Sequence, residues 1–178
     1  MTTGDNNVAI GFEALKTEDA NGDNVAVGYQ ALKTLNAGAD GFNTAVGYLS
    51  GTSLSTGTNN TLLGSFSGDA FTTGLKNVAI GQNALSTDTK GQLSDAVGTG
   101  ALETQNFTTA TDVYNVAVGH DAGNAITTGQ QNTLIGGLSG DALTTGEANV
   151  ALGYLALTAD TAGNGSVAIG KNALADRS

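Results

Sequence analysis

The sequence predicts an all-β fold: a parallel β-solenoid of the β-roll type, in which about ten coils of two short strands stack into a rod that assembles as a homotrimer. The first observation behind it is a phrase of the form Asn-x-Ala-aliphatic-Gly that recurs ten times, with its glycine at Gly11, Gly28, Gly47, Gly64, Gly81, Gly98, Gly119, Gly136, Gly153 and Gly170. Successive glycines stand 17, 19, 17, 17, 17, 21, 17, 17 and 17 residues apart. Such a unit cannot bury its own apolar face and must stack on its neighbours, and it is too short for a helical repeat, which needs about 33 residues or more. The second observation is the small and β-branched content of each phrase, as in Asn77-Val78-Ala79-Ile80-Gly81, which suits a pleated strand. The third is an apolar column that a single chain has nothing left to cover. Residues 1–178 form one repeat domain of ten coils, about 45 to 50 Å long at one strand spacing per coil.

The first strand of each coil is the phrase itself. The residue before the glycine is always a large aliphatic (Ile10, Val27, Val46, Leu63, Ile80, Val97, Val118, Ile135, Leu152, Ile169), so it is assigned to the coil interior. Its predecessor then faces outward, because side chains alternate along a strand. That predecessor is apolar in every coil: Ala9, Ala26, Ala45, Leu62, Ala79, Ala96, Ala117, Leu134, Ala151 and Ala168. An outward apolar stripe of small residues needs a partner, and identical chains packed around an axis supply one, so these ten positions are the expected trimer interface.

A second strand is expected after the glycine, in stretches such as residues 29–32. Three residues beyond each glycine stands a small inward residue, Ala or Ser, from Ala14 to Ala173. The next column alternates in pairs: Leu15 and Leu32, Gly51 and Gly68, Leu85 and Leu102, Gly123 and Gly140, Leu157 and Leu174. Where it is glycine, a bulky residue follows three positions later (Leu54, Phe71, Ile126, Leu143); where it is leucine, that position is usually polar (Glu18, Asp88, Gln105, Asp160), with Leu35 the exception. Volume lost at one site is restored at another, which marks a shared interior and two coil types in a four-coil super-repeat.

A polar loop closes each coil. Gly57, Gly74, Gly91, Gly129, Gly146 and Gly163 share one phase, with Asn21 there in the first coil, and are read as tight turns needing positive φ. The two long gaps place insertions around Ala37 to Gly41 and Thr108 to Tyr114, the least stereotyped surfaces of the rod. Thr2-Thr3-Gly4 enters in phase with the later loops and no capping element closes the last coil, so a segment of a longer fibre is expected.

Composition narrows the function classes. The chain has no cysteine and no proline, which removes disulfides and thiolate chemistry. Its net charge of −10, with six basic residues against sixteen acidic ones, argues against a nucleic-acid partner. No apolar run reaches membrane-spanning length, so no membrane insertion is expected.

The phrases Asn-Val-Ala-Val-Gly-Tyr-Gln-Ala-Leu at 24–32 and Ser-Val-Ala-Ile-Gly-Lys-Asn-Ala-Leu at 166–174 resemble the head repeats of trimeric autotransporter adhesins. The full cadence, with Thr-Thr-Gly loops between phrases, is similar to fibre proteins of tailed bacteriophages. The resemblance covers essentially the whole chain and implies a left-handed parallel β-roll assembled as a homotrimer. It implies a structural segment of a fibre for host-cell attachment, in a virion tail fibre or, alternatively, at a bacterial surface as an adhesin head. The period is longer than the adhesin one, and the signal, neck, stalk and anchor of adhesins do not occur, which directs the expectation to the virion.

Candidate chemistry is thin, and no catalytic residue, cofactor site or metal site is expected. His120 occupies a varied, solvent-facing column with Tyr29, Tyr48 and Tyr154. It reads as a surface residue; the tyrosines could stack on sugars or simply stand exposed. Glu18, Asp19 and Asp23 could offer oxygens to calcium but lack the glycine-rich calcium-roll pattern, so a solvated acidic loop is preferred. The second insertion supplies aromatic surface in Phe107 and Tyr114, the expected ligand surface for a host-cell glycan or protein. An ice-binding solenoid would need an unbroken threonine ladder, and the Thr-Thr pairs occur in only some coils. A glycan hydrolase would need two carboxylates at about 5 to 9.5 Å in a groove, whereas the carboxylates here lie in variable loop columns.

Overall fold

The chain is an all-β parallel solenoid of about nine turns, with no helix among the described residues. The structure, a computed structural model, describes residues 6–18 and 22–176. The Thr2-Thr3-Gly4 phase match and the Asn21 turn lie outside the described residues. Twelve strands follow in order: β1 (Val8–Ile10), β2 (Val25–Val27), β3 (Thr44–Val46), β4 (Thr61–Leu63), β5 (Val78–Ile80), β6 (Gly91–Gln92), β7 (Asp95–Val97), β8 (Thr111–Asp112), β9 (Val116–Val118), β10 (Thr133–Ile135), β11 (Val150–Leu152) and β12 (Val167–Ile169). Ten of them form one parallel sheet, β1-β2-β3-β4-β5-β7-β9-β10-β11-β12, while β6 and β8 pair separately. The register holds every phrase in step across the unequal gaps, for example Ala26 on Ala45 and Ala96 on Ala117.

The strand faces are the reverse of the sequence expectation. Ala26, Ala45, Leu62, Ala79, Ala96, Ala117, Leu134 and Ala151 are fully buried inside the single chain, and Ala168 is 1% exposed; Ala9 is exposed in the first described coil. The large aliphatics point outward instead, with Leu63 at 43% and Leu152 at 45% exposure. A column already enclosed by its own chain cannot line an axis between chains. The cause is the narrowness of the coil. Leu32, Leu85, Leu102 and Leu157 enter the interior from the opposite side, leaving room for only a methyl group facing them. The period of the alternation is as expected and its phase is reversed, which transfers every side chain to the other face.

The second strand is also replaced. Residues 29–32 form a turn with positive φ at Gln30 (55°) and Leu32 (49°), so the backbone there is not extended. The coils still bond to one another through it: Gln30 N–H donates to Phe12 O (2.8 Å) and Leu32 N–H to Ser50 O (3.1 Å). Each coil therefore has one three-residue strand and a turn ladder. The extra pair β6/β8 arises where the second insertion folds back beside Gly91–Gln92.

Within the coil the volume exchange is direct. A Cβ on Gly68 would stand 2.6 Å from Phe71 Cδ2 and 2.8 Å from Leu62 Cδ2, and one on Gly51 would stand 2.7 Å from Leu62 Cδ1. Leu62 thus occupies the space that two leucines vacate, and Leu134 does the same beside Gly123 and Gly140. Gly68 (φ 54°) shares its backbone with Leu85 (φ 52°), so a leucine there is opposed by volume, not by conformation. Gly68→Leu is expected to destabilise by about 1–3 kcal/mol. Adding Leu62→Ala and Phe71→Asp, which rebuilds the pattern of the neighbouring Leu85 coil, should recover most of the loss in urea unfolding. Additive costs would show that the three sites do not share a space.

The loop glycines are required for space and not for conformation. Gly74 is outside the positive-φ region, yet a Cβ there would lie 2.7 Å from Phe71 Cδ1 and 2.9 Å from Gly91 O. In the other coil type an aspartate plugs the loop: Asp88 Oδ1 accepts from Gly91 N–H (3.0 Å) and Phe107 N–H (3.0 Å).

The phrase asparagine holds strand and loop together. Asn60 Nδ2 donates to Gly74 O (2.9 Å) and Asn43 Oδ1 (3.1 Å), and its own Oδ1 accepts from Asn77 N–H (3.0 Å). The same pattern recurs at Asn43, Asn132 and Asn149, all buried. Ser94 interrupts this ladder, and Gln105 repairs it. Its Oε1 accepts from Asn115 Nδ2 (2.9 Å), and its Nε2 donates to Ser94 Oγ (3.2 Å) and Asp88 Oδ2 (2.7 Å).

Candidate interaction surfaces

Two outward columns of the sheet carry the rod's main apolar face. One is uniformly aliphatic, from Ile10 to Ile169; the other, two residues earlier, reads Val8, Val25, Thr44, Thr61, Val78, Asp95, Val116, Thr133, Val150 and Val167. Parallel pairing places each column in a line along the rod. Asp95 and the threonines give the second column a wet character that the first lacks.

The column after the glycine begins with an aromatic stack. Phe12 and Tyr29 stack at 5.3 Å between ring centroids, Tyr29 and Tyr48 at 5.2 Å, and Phe66 meets Tyr48 edge-on at 5.4 Å. The facing rings of Tyr29 and Tyr48 cover one another, leaving their edges outward, so the two do not form a flat platform for a sugar. Tyr154 is 50% exposed, further along the rod.

Of the two residues assigned to a ligand surface, Phe107 is buried at 7% exposure and Tyr114 is exposed at 52%. Phe107 turns inward because it stands in the loop that Asp88 closes, and with buried Val113 it anchors the second insertion. Thr108, Thr109 and Ala110 form the exposed crest of that insertion. The first insertion presents Phe42 at 56% exposure, an aromatic the sequence reading passed over. The signal was available: Phe42 and Tyr114 precede equivalent phrases, each directly after a long gap.

His120 is a surface residue whose Nδ1 lies 3.0 Å from Asp121 Oδ2. Glu18 is buried and not solvated, Asp23 is half-buried and bonded to Asn6 Nδ2 (3.1 Å), and Asp19 lies outside the described residues. Among the described residues no three His, Asp or Glu side chains gather as a metal site. The threonine hydroxyls of one loop column are engaged with the next coil: Thr72 Oγ1 donates to Thr89 O (3.1 Å) and Thr144 Oγ1 to Thr161 O (2.8 Å).

Electrostatics distinguish two kinds of carboxylate. Lys16 (2.6 Å) and Lys33 (2.8 Å) both approach Glu13 and hold its carboxyl down at about 2, with Gln30 adding a hydrogen bond. Asp69 behaves oppositely: burial raises it to about 6, and its Oδ1 is enclosed without a hydrogen-bond partner. Its super-repeat equivalent Asp141 is raised for the same reason. A folded-state pKa above the unfolded value of 3.8 means that the fold binds more protons than the unfolded chain between about pH 4 and 6. Stability should therefore rise as pH falls through that window. Asp69→Asn is expected to raise the urea midpoint at pH 7 and to flatten its dependence between pH 7 and 5; an unchanged slope would assign the protons elsewhere.

No protein-family profile matches this chain, and neither a curated protein nor a solved structure was found to match it.

Proposed function

We propose that this chain is a structural segment of a homotrimeric fibre used for host-cell attachment, most simply the tail fibre of a bacteriophage or another virion. The observation that carries the proposal is the outward aliphatic column, unbroken across the ten strands of the sheet and aligned along the rod. In a lone chain that column stays wet; around a three-fold axis each chain covers the others. The column from Ile10 to Ile169 lies nearest the axis, and the Val/Thr column with Asp95 lies towards the rim, where a carboxylate keeps its water. The segment acts by length and display and carries out no catalysis. The repeat cadence supports the fibre reading, and the adhesin-like phrases make a bacterial surface fibre the second reading.

The test is mass in solution. The chain should scatter light as three times its 17.6 kDa. Ile80→Asp with Ile135→Asp should yield monomers at micromolar concentration, because burying six unpaired carboxylates per trimer costs more than the seam returns. Thr128→Asp, in an exposed loop, should leave the trimer intact. A monomeric parent chain would end this reading.

A further inference from the structure

We propose that one side of the rod is a track for an extended, neutral glycan, held by Phe42 and Tyr114 as two aromatic anchors. The inference deepens the attachment reading and rests on it.

Both aromatics stand in left-handed backbone, Phe42 at φ 49° and Tyr114 at φ 57°. The other occupants of the column include Asn59, Lys76, Leu93, Gln131 and Ala148, so the backbone does not call for an aromatic here. Packing does not explain the choice, since both residues are more than half exposed. Among the described residues neither ring packs on another aromatic, unlike Phe12, Tyr29, Tyr48 and Phe66. Their faces are thus not occupied by the stack that covers Tyr29 and Tyr48.

Register sets their spacing. Phe42 lies two residues before Thr44 and Tyr114 two before Val116, and Thr44, Thr61, Val78, Asp95 and Val116 pair in succession. The anchors are therefore four coils apart on one column, about 19 Å at one strand spacing per coil. Between them stand Asn59, Lys76 and Leu93, so an amide and an ammonium donor one coil apart are followed by an apolar step. An extended β-linked glycan rises by a similar step per sugar, and its pyranose faces suit aromatic rings while its hydroxyls accept from the donors between. A protein partner would call for a continuous apolar patch, which this mixed column is not. Lys76 on the column and Asp40 and Asp112 in the neighbouring loops give no single sign of charge, which favours a neutral chain over a charged one. Tyr114 sits on a firm base, because Val113 is buried and β6 pairs with β8 beside it.

The experiment is affinity electrophoresis and calorimetry of the whole chain with neutral β-1,4-linked glucan, mannan and xylan, and with their oligosaccharides of increasing length. Binding should strengthen sharply once the oligosaccharide is long enough to span both anchors. Phe42→Ala and Tyr114→Ala should each weaken binding of the long chain by about tenfold, and Tyr154→Ala should leave it unchanged. Absence of binding to all three polymers, binding without length dependence, or equal loss in the Tyr154 variant would overturn the track. If the Phe42 and Tyr114 variants instead change the mass in solution, the two rings belong to the seam between chains and the track fails. The mass of the parent chain is measured separately, so loss of the track leaves the fibre reading standing, and a monomeric parent that still binds long glycan would reject the fibre alone.

Discussion

Asn132→Leu is expected to destabilise the rod by about 3–5 kcal/mol, as the sum of two or more stranded backbone groups at roughly 1–3 kcal/mol each. Asn132 is fully buried. Its Nδ2 donates to Gly146 O (2.9 Å) and Asn115 Oδ1 (3.3 Å), and its Oδ1 accepts from Asn149 N–H (3.0 Å) and Asn149 Nδ2 (3.1 Å). Leucine has nearly the same size and offers none of these, so a backbone carbonyl and a backbone amide lose their partners inside the coil where water cannot replace them. Ser is the conservative control, because Ser94 and Ser166 occupy this column naturally. Asn132→Ser should cost less, and adding a glutamine at Leu143, which stands where Gln105 stands in the Ser94 coil, should restore part of the ladder. Hydrogen exchange reads the effect locally: protection should fall first at Gly146 to Val150 and spread to neighbouring coils, as nearest-neighbour coupling in a stacked repeat requires. A loss below 1 kcal/mol would mean that the asparagine ladder is incidental to the fold.

How much of this was legible in the sequence depended on whether a pattern constrained one column or a relation between two. The period alone carries the solenoid and the position of both insertions, since stacking must keep each phrase in step; its ten phrases make about nine turns, not ten. The exchange of Leu85 with Gly68 and Phe71 was legible because it is a relation: volume leaves one position and returns at another, and only a shared interior explains that. The strand face is not legible from a single column, because the larger aliphatics are ordinarily the inner ones. The relation that settles it was present. Leu62 and Leu134 enlarge the alanine column only in coils whose next interior column is glycine, at Gly68 and Gly140. The Ile10 to Ile169 column shows no such coupling, because it faces away. Phe107 departs from the expected surface for a related reason: an insertion is not surface throughout, because a bulge needs an anchor and the aromatic nearest the closing Asp88 provides it. The turn ladder at Gln30 and Leu32 was not legible, because leucine and glutamine carry no preference for positive φ; stacking imposes it.

Gly64→Ala is expected to open the rod between its fourth and fifth coils, a larger effect than its single methyl group suggests. Two independent penalties meet at this residue. Its φ of 139° lies in a region that is essentially closed to residues with a Cβ, which costs on the order of 3 kcal/mol before any contact is counted. The Cβ would then stand 2.5 Å from Gly81 O and 2.6 Å from Gly81 C. Those atoms are backbone of the next coil and cannot rotate away as a side chain can. Relief requires the two coils to separate, which breaks Thr61 N–H to Asn77 O (2.9 Å), Gly81 N–H to Leu63 O (2.7 Å) and the pairing of β4 with β5. In a repeat rod, the interface between neighbours is the principal source of stability, so one faulted interface divides the chain into two shorter stacks. Thermal unfolding should change from one transition to two, with the shorter N-terminal stack melting first, and limited proteolysis should cut near residues 64–77. Gly165→Ala is the matched control, because Gly165 has φ 66° but nothing within 4 Å of its Cβ position. It should cost only about 1 kcal/mol, in the range for an alanine forced into left-handed backbone. Equal effects at the two sites would show that conformation, and not coil-to-coil contact, fixes the glycine column.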